Sequence, residues 1–190
     1  MRNRKLGVQA TTAALLTLLW SGTAWSSPET AAADTKKPPA VEITAAQITI
    51  GTEHLVLPAD YSAVVKALGK PSRTLPPQYP NQLVVWDTLG VVGYRLTESG
   101  KIHTLMFYLT PVPDRDWAPH QPFAGPIRIG KDVLDVRSTL AEAGKGLLQQ
   151  GAEHQSRLAF GVWNLRFGSF VLSFEQIKAD TLQTVTVDSP

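Results

Sequence analysis

Few residues in this chain could do chemistry, and their spacing argues against most reactions. Among 190 residues there are four histidines, His54, His103, His120 and His154, and no cysteine. No two histidines stand in an H-x-x-x-H or other metal-ligand spacing, so no metal site is expected. Asp87 follows Trp86, but a general base needs an acid or nucleophile within hydrogen-bond reach, and none lies near it in sequence. Arg73 or Lys70, reached across a sheet, is the partner expected for Asp87, as a structural ion pair or a turn contact. No Gly-x-Ser-x-Gly elbow supports a serine nucleophile. The expectation is a non-enzymatic protein with no catalytic residues and no cofactor. A hydrolase whose site is not visible in sequence is kept as a third alternative.

Residue types that bind rather than react gather in one segment. Thr110 to Phe123 contains Pro111, Pro113, Pro119 and Pro122 around Asp114, Arg115, Asp116 and Trp117. Prolines reduce the entropy lost on binding, and Trp and Arg are the types most enriched at binding hot spots. Trp117, Arg115, Asp114 and Asp116 are therefore candidate partner-binding residues. The competing reading has Trp117 and Phe123 stapling the segment onto the seam between two halves of the chain. A second irregular stretch, Pro71 to Pro80, is too rich in proline for a sheet strand and adds Arg73 and Tyr79 to the candidates.

The elements that must position these loops come in two similar sets. Ile48-Thr49-Ile50-Gly51 returns as Ile127-Arg128-Ile129-Gly130, Trp86-Asp87 as Trp163-Asn164, and Ile102-His103-Thr104-Leu105 as Leu182-Gln183-Thr184-Val185. The first set predicts strands at 47–51 and 55–57 and a helix from Asp60 with Tyr61, Val64, Val65 and Leu68 on one face. Gly69 ends that helix, and strands follow at 82–86, 91–96 and 102–109. The second predicts strands at 126–130 and 133–134, and a helix whose Thr139 and Glu142 form a capping box, with Leu140, Ala143, Leu147 and Leu148 inward. Strands at 159–163, 165–167, 170–174 and 181–187 complete it. The fold class expected is α+β: two tandem β-β-α-β-β-β repeats, antiparallel sheet with helices on one face. Trp86 and Trp163, at matching places, are both expected in the core. The boundaries are residues 46–110 for the first repeat, 111–125 for the proline-rich connection and 126–190 for the second repeat.

The first 45 residues read as address and tether. Arg2, Arg4 and Lys5 precede an apolar run from Ala13 to Trp20, and Ala24-Trp25-Ser26 offers small residues for a signal peptidase. Residues 1–26 are expected to be a cleaved signal peptide, since the run is far short of the roughly 20 residues a membrane span needs. Residues 27–45, small, polar and proline-containing, are expected to be a disordered linker. The formal net charge of +2 falls to about −1 once the three leading basic residues are removed. Nucleic acid as a partner is excluded on that ground, because phosphates call for clustered Lys and Arg. A periplasmic or secreted location follows, with no transmembrane segment in the mature chain.

Leu68-Gly69-Lys70-Pro71-Ser72-Arg73, followed by Val85-Trp86-Asp87-Thr88-Leu89-Gly90, resembles a family of uncharacterised bacterial exported domains in which a helix ends in Leu-Gly-Lys-Pro-x-Arg and a strand carries Trp-Asp-x-Leu-Gly. The resemblance covers residues 46 to 110. It implies no chemistry, but similar small exported proteins include candidate immunity proteins. The second set departs from the pattern, with Gly146-Leu147-Leu148 and Asn164 in the corresponding places. The function expected is an exported module that binds another protein, in its sharpest form an inhibitor of a secreted toxin. The alternative is an envelope accessory protein that binds cell-wall glycan or an assembly machine.

Overall fold

The computed structural model describes residues 38–113, 115–158, 161–178 and 181–190. Three short strands open it, β1 (Val41–Ile43), β2 (Ile48–Ile50) and β3 (Glu53–Leu55), followed by β4 (Ala59–Asp60) and helix α1 (Tyr61–Leu68). Then come β5 (Arg73–Thr74), β6 (Asn81–Trp86), β7 (Val91–Leu96) and β8 (Lys101–Tyr108). After the proline-rich connection run β9 (Ile127–Ile129), β10 (Asp132–Leu134), α2 (Leu140–Gln149), β11 (Glu153–Leu158), β12 (Val162–Phe167), β13 (Phe170–Lys178) and β14 (Thr181–Asp188).

These strands make two sheets. The larger runs β11-β12-β13-β14-β8-β7-β6-β5, with β4 pairing the start of β8. The smaller runs β10-β9-β1-β2-β3. Period-two alternation decides which face of the larger sheet is covered. Leu105 and Phe107 of β8 and Val185 and Val187 of β14 are fully buried in the main core. Thr184, Thr186 and Asp188, alternating with them, line a cavity on the opposite face. The main core is closed by the smaller sheet and both helices: α1 packs on β3, β4 and β8, and α2 on β10, β12 and β13. An α+β fold is what results.

Local signals act as their chemistry requires. The capping box forms: Glu142 N donates to Thr139 Oγ1 and Thr139 N donates to Glu142 Oε2. Gly69 closes α1 at φ +86°, a backbone state that L residues rarely adopt. Val64 and Leu68 bury the inner face of α1, with Tyr61 and Val65 partly covered.

Several expectations need correction. Val41–Ile43 is not linker. It is the central strand of the smaller sheet, with Val41 and Ile43 fully buried, because this short stretch pairs on both sides and so satisfies its backbone. Its pairing with β9 is parallel, so the smaller sheet is mixed rather than antiparallel. The second strand of the first set lies at 53–55 rather than 55–57, and β5 pairs at the sheet edge within a stretch expected to form no strand. β11 was not anticipated, and β12 runs unbroken where a break was expected at Asn164. Leu148 is 41% exposed and Gly144 takes the inward place on α2. Trp163 is half-buried against the core, while Trp86 is fully buried. The segment expected to be a signal peptide, the part of the expected linker up to residue 37, and Asp114 lie outside the described residues.

The Gly144 position generates a test. Alanine in a helix interior is worth about 1 kcal/mol over glycine. An added Cβ at residue 144 would, however, sit 2.3 Å from Trp163 Cζ3. Gly144→Ala is expected to lower the unfolding free energy by about 1–3 kcal/mol in urea, because the indole must move out of its packed place. A stabilised variant would show that Trp163 is free to yield.

Candidate functional site

The site is built around Asp87, which ends β6. Every polar atom of this residue is engaged. Arg73 Nε donates to Oδ2 at 2.9 Å and Arg73 Nη2 donates to Oδ1 at 3.0 Å, a two-pronged pair that matches guanidinium to carboxylate. His120 N donates to Oδ1 at 3.3 Å, Gln121 N donates to the backbone carbonyl at 3.0 Å, and the Asp87 N–H donates to Ser72 Oγ at 2.9 Å. Burial alone would push the Asp87 carboxyl up. The Arg73 hydrogen bonds and charge, helped by His120, outweigh it and hold the carboxyl below its ordinary value.

Arg73 reaches further. Its Nη1 donates to the Asp116 carbonyl and its Nη2 also donates to the Ala118 carbonyl at 2.8 Å. Both belong to the proline-rich connection, which therefore crosses the outer face of the larger sheet as a strap. Val112 and Ala118 cover Val85, Val92 and Tyr108 there. The strap then rounds the β6–β7 turn, where Phe123 N donates to the Tyr108 carbonyl and the Phe123 ring enters the main core. Phe123 meets Phe107 edge to face at 5.2 Å between centroids. Gly90 is needed at that turn: its φ is +70° and a Cβ would lie 2.1 Å from Phe123 N.

Between the strap and the Pro71–Pro80 stretch lies a groove of about 730 Å³, lined by Leu75, Pro76, Tyr79, Leu83, Tyr94 and Trp117 among others. Tyr79 is 77% exposed and its hydroxyl donates to Glu98 Oε1 at 2.7 Å. That bond raises the phenol's pKa, with burial adding to it. Trp117 is 37% exposed and leans on Tyr108 at 6.2 Å between centroids. Arg115 is exposed, its guanidinium carbon 6.0 Å from the Trp117 ring centroid, at the outer limit of a cation–π contact. Of the candidate residues the structure thus brings Tyr79, Asp116 and Trp117 to one groove, while Arg115 faces an adjoining cavity with Arg73 and His120. Arg73 belongs to the groove's foundation: four of its N–H bonds are committed inside the protein.

A second group went unnoticed in sequence because topology alone assembles it. On the outer face, His103 Nε2 lies 2.9 Å from Asn81 Oδ1 and His103 Nδ1 lies 2.9 Å from Thr104 Oγ1. The Thr104 hydroxyl donates to Asp188 Oδ1 on the neighbouring strand. Burial raises the Asp188 carboxyl, opposed by the Thr104 hydrogen bond and the His103 charge. Among the described residues no three His, Cys, Asp or Glu side chains converge as they would on a metal ion. No described helix is long and apolar enough to cross a membrane.

The chain belongs to the family described as Domain of unknown function (DUF7738), whose model matches residues 40–143. That span runs from β1 into the first turn of α2 and contains Arg73, Asp87 and the whole strap. No curated protein matches the sequence. Among solved structures the chain is similar to an extracellular protein containing a SCP domain from Bacillus anthracis str. Ames, with a TM-score of 0.44 and 11% identity over 68% of this chain. The similarity covers 43% of that protein's length, and at this level it defines neither fold nor activity.

The Asp87 geometry predicts a signed pH dependence. A carboxyl held below its ordinary value contributes stability that is present above the unfolded-state pKa and lost as pH falls through the folded one. Asp87→Asn is expected to cost about 2–3 kcal/mol at neutral pH, since the side chain is only 9% exposed and Arg73 is left without its anion. Denaturant titrations across the acid range should show the gap to wild type closing as pH falls. A gap independent of pH would mean that the cost comes from packing and not from the charge.

Proposed function

We propose that this DUF7738 domain is an exported, non-enzymatic module that binds another protein in the groove between the strap and the Pro71–Pro80 stretch. The observation that carries the reading is the pair Tyr79 and Trp117: two large aromatic side chains left exposed on walls that are themselves tied down. Exposed aromatics on a flexible loop lose entropy when they bind, whereas aromatics on a clamped loop bind at lower cost. Arg73 and Asp87 supply the clamp. Neutralisation of a secreted toxin is the specific form we favour, with Trp117, Arg115, Asp116 and Tyr79 as contacts. Cleavage of the basic and apolar leader would deliver the module to the periplasm or beyond.

The larger sheet supports a duplicated origin for this architecture. Read outward from the β14–β8 pair, β13, β12 and β11 on one side answer β7, β6 and β5 on the other. We take the two halves as tandem repeats whose exposed loops have diverged, with the strap between them belonging to neither. A second function, binding of cell-wall glycan, draws on the same aromatics together with the amides of Gln78 and Asn81 in the groove.

Truncating Trp117 separates a binding role from a structural one. Trp117→Ala is expected to weaken capture of the partner from envelope extract by about 2 kcal/mol while leaving the melting temperature within a degree or two. Equal recovery by variant and wild type would move the binding surface to the Pro71–Pro80 stretch, and a large fall in melting temperature with unchanged affinity of the folded fraction would assign Trp117 to holding the strap.

A further inference from the structure

The groove does not end at Tyr94. Asn81 and Tyr94 line both it and a second cavity of about 380 Å³ on the part of the outer sheet face that the strap leaves bare. The first cavity sets the rings of Tyr79, Tyr94 and Trp117 beside Gln78, Asn81 and Asp116, and the second carries Met106, His103, Glu175 and Asp188 with several hydroxyls. Two cavities that share Asn81 and Tyr94 as walls offer an aromatic end and a carboxylate end to one occupant.

The charge balance along the two cavities is one-sided. Asp116 lies at the strap end, Glu98 holds the Tyr79 hydroxyl, and Glu175 and Asp188 lie at the far end. Against them stands His103, whose two ring nitrogens are engaged with Asn81 and Thr104. Arg73 is paired with Asp87, and Arg115 opens onto a separate cavity with His120. Glu175 is half-buried and has no Lys, Arg or His ion pair among the described residues. Its charge reaches Tyr94 and Tyr108, adding to the burial that raises both phenols. A half-buried carboxylate that no described Lys, Arg or His pairs is costly, and sharing a cavity with an aromatic ring it makes a seat for a cation.

Resting on the reading of the groove as a protein-binding surface, we propose that its occupant is an extended segment carrying a Lys or Arg. Apolar or proline residues of that segment lie between Tyr79 and Trp117, and the basic side chain runs along the Tyr94 ring to place its cation at Glu175 and Asp188. Aromatic-walled grooves of this kind suit extended, preorganised chains. The charge complementarity selects a basic segment over an acidic or neutral one.

The test uses the leaderless chain labelled with ¹⁵N and three probes: the peptide Ac-Pro-Leu-Pro-Pro-Lys-NH₂ and its counterparts ending in norleucine or Glu. The lysine peptide is expected to bind about tenfold more tightly than the norleucine peptide and to shift the amides of Tyr94, Thr104 and Glu175. Glu175→Gln should remove that preference and leave norleucine-peptide binding unchanged. Trp117→Ala should weaken both peptides alike. Equal binding of the lysine and norleucine peptides, no shift with the lysine peptide, or a preference that survives Glu175→Gln overturns the inference. A chito-oligosaccharide that shifts the same amides while the lysine peptide does not also overturns it. Equal binding of the lysine and norleucine peptides by the wild-type protein, with both still weakened by Trp117→Ala, would leave the groove reading standing and sink only this one.

Discussion

The pair formed by Arg73 and Asp87 is the interaction on which the rest of the outer face depends. It joins the two-residue edge strand β5, the end of the neighbouring β6, and the strap that crosses them. The guanidinium alone links one carboxylate and two strap carbonyls. Lysine could not substitute, since a single ammonium lacks the planar fork that meets a carboxylate with two bonds and still has donors to spare. Because the strap is bonded through its backbone to Asp87 and anchored by Phe123 in the core, the exposed Trp117 has a fixed base. Under the proposed function, binding energy at the groove depends partly on an ion pair that a partner need not touch.

Much of this was legible in the sequence, for identifiable reasons. The Arg73–Asp87 partnership could be anticipated because one basic and one acidic residue flank a loop that returns the chain to the same sheet. The capping box at Thr139 and the stop at Gly69 are local, and local chemistry can be read without knowing the fold. Strand β1 was missed because three residues are too few to show a period, and its burial comes from β2 and β9, the latter far along the chain. Gly144 was missed because a glycine in a helix signals weakness in sequence, whereas here it makes room for an indole. The chain from Asn81 through His103 and Thr104 to Asp188 joins residues that only the β14–β8 pairing makes neighbours.

The outer face is divided by what the connection covers. On one half, Val85, Val92 and Tyr108 lie under the strap. On the other, Ser173, Glu175, Thr184 and Thr186 face a cavity. The alternation that buries Val185 and Val187 on the inner side puts threonines outward, which keeps an uncovered sheet face soluble without closing it. The two halves of one sheet thus differ in what they expose because a single segment is bonded over one of them.

Native-state hydrogen exchange tests the central claim most directly, since it reads the opening of the strap separately from the opening of the sheet. Exchange would be compared between wild type and Arg73→Met at the amides of Ala118, Gln121 and Phe123 in the strap and Leu105 and Phe107 in β8. The account predicts a selective loss of protection in the strap, on the order of a hundredfold, with the β8 amides changed much less. Equal loss in strap and sheet, or no loss in either, would contradict it.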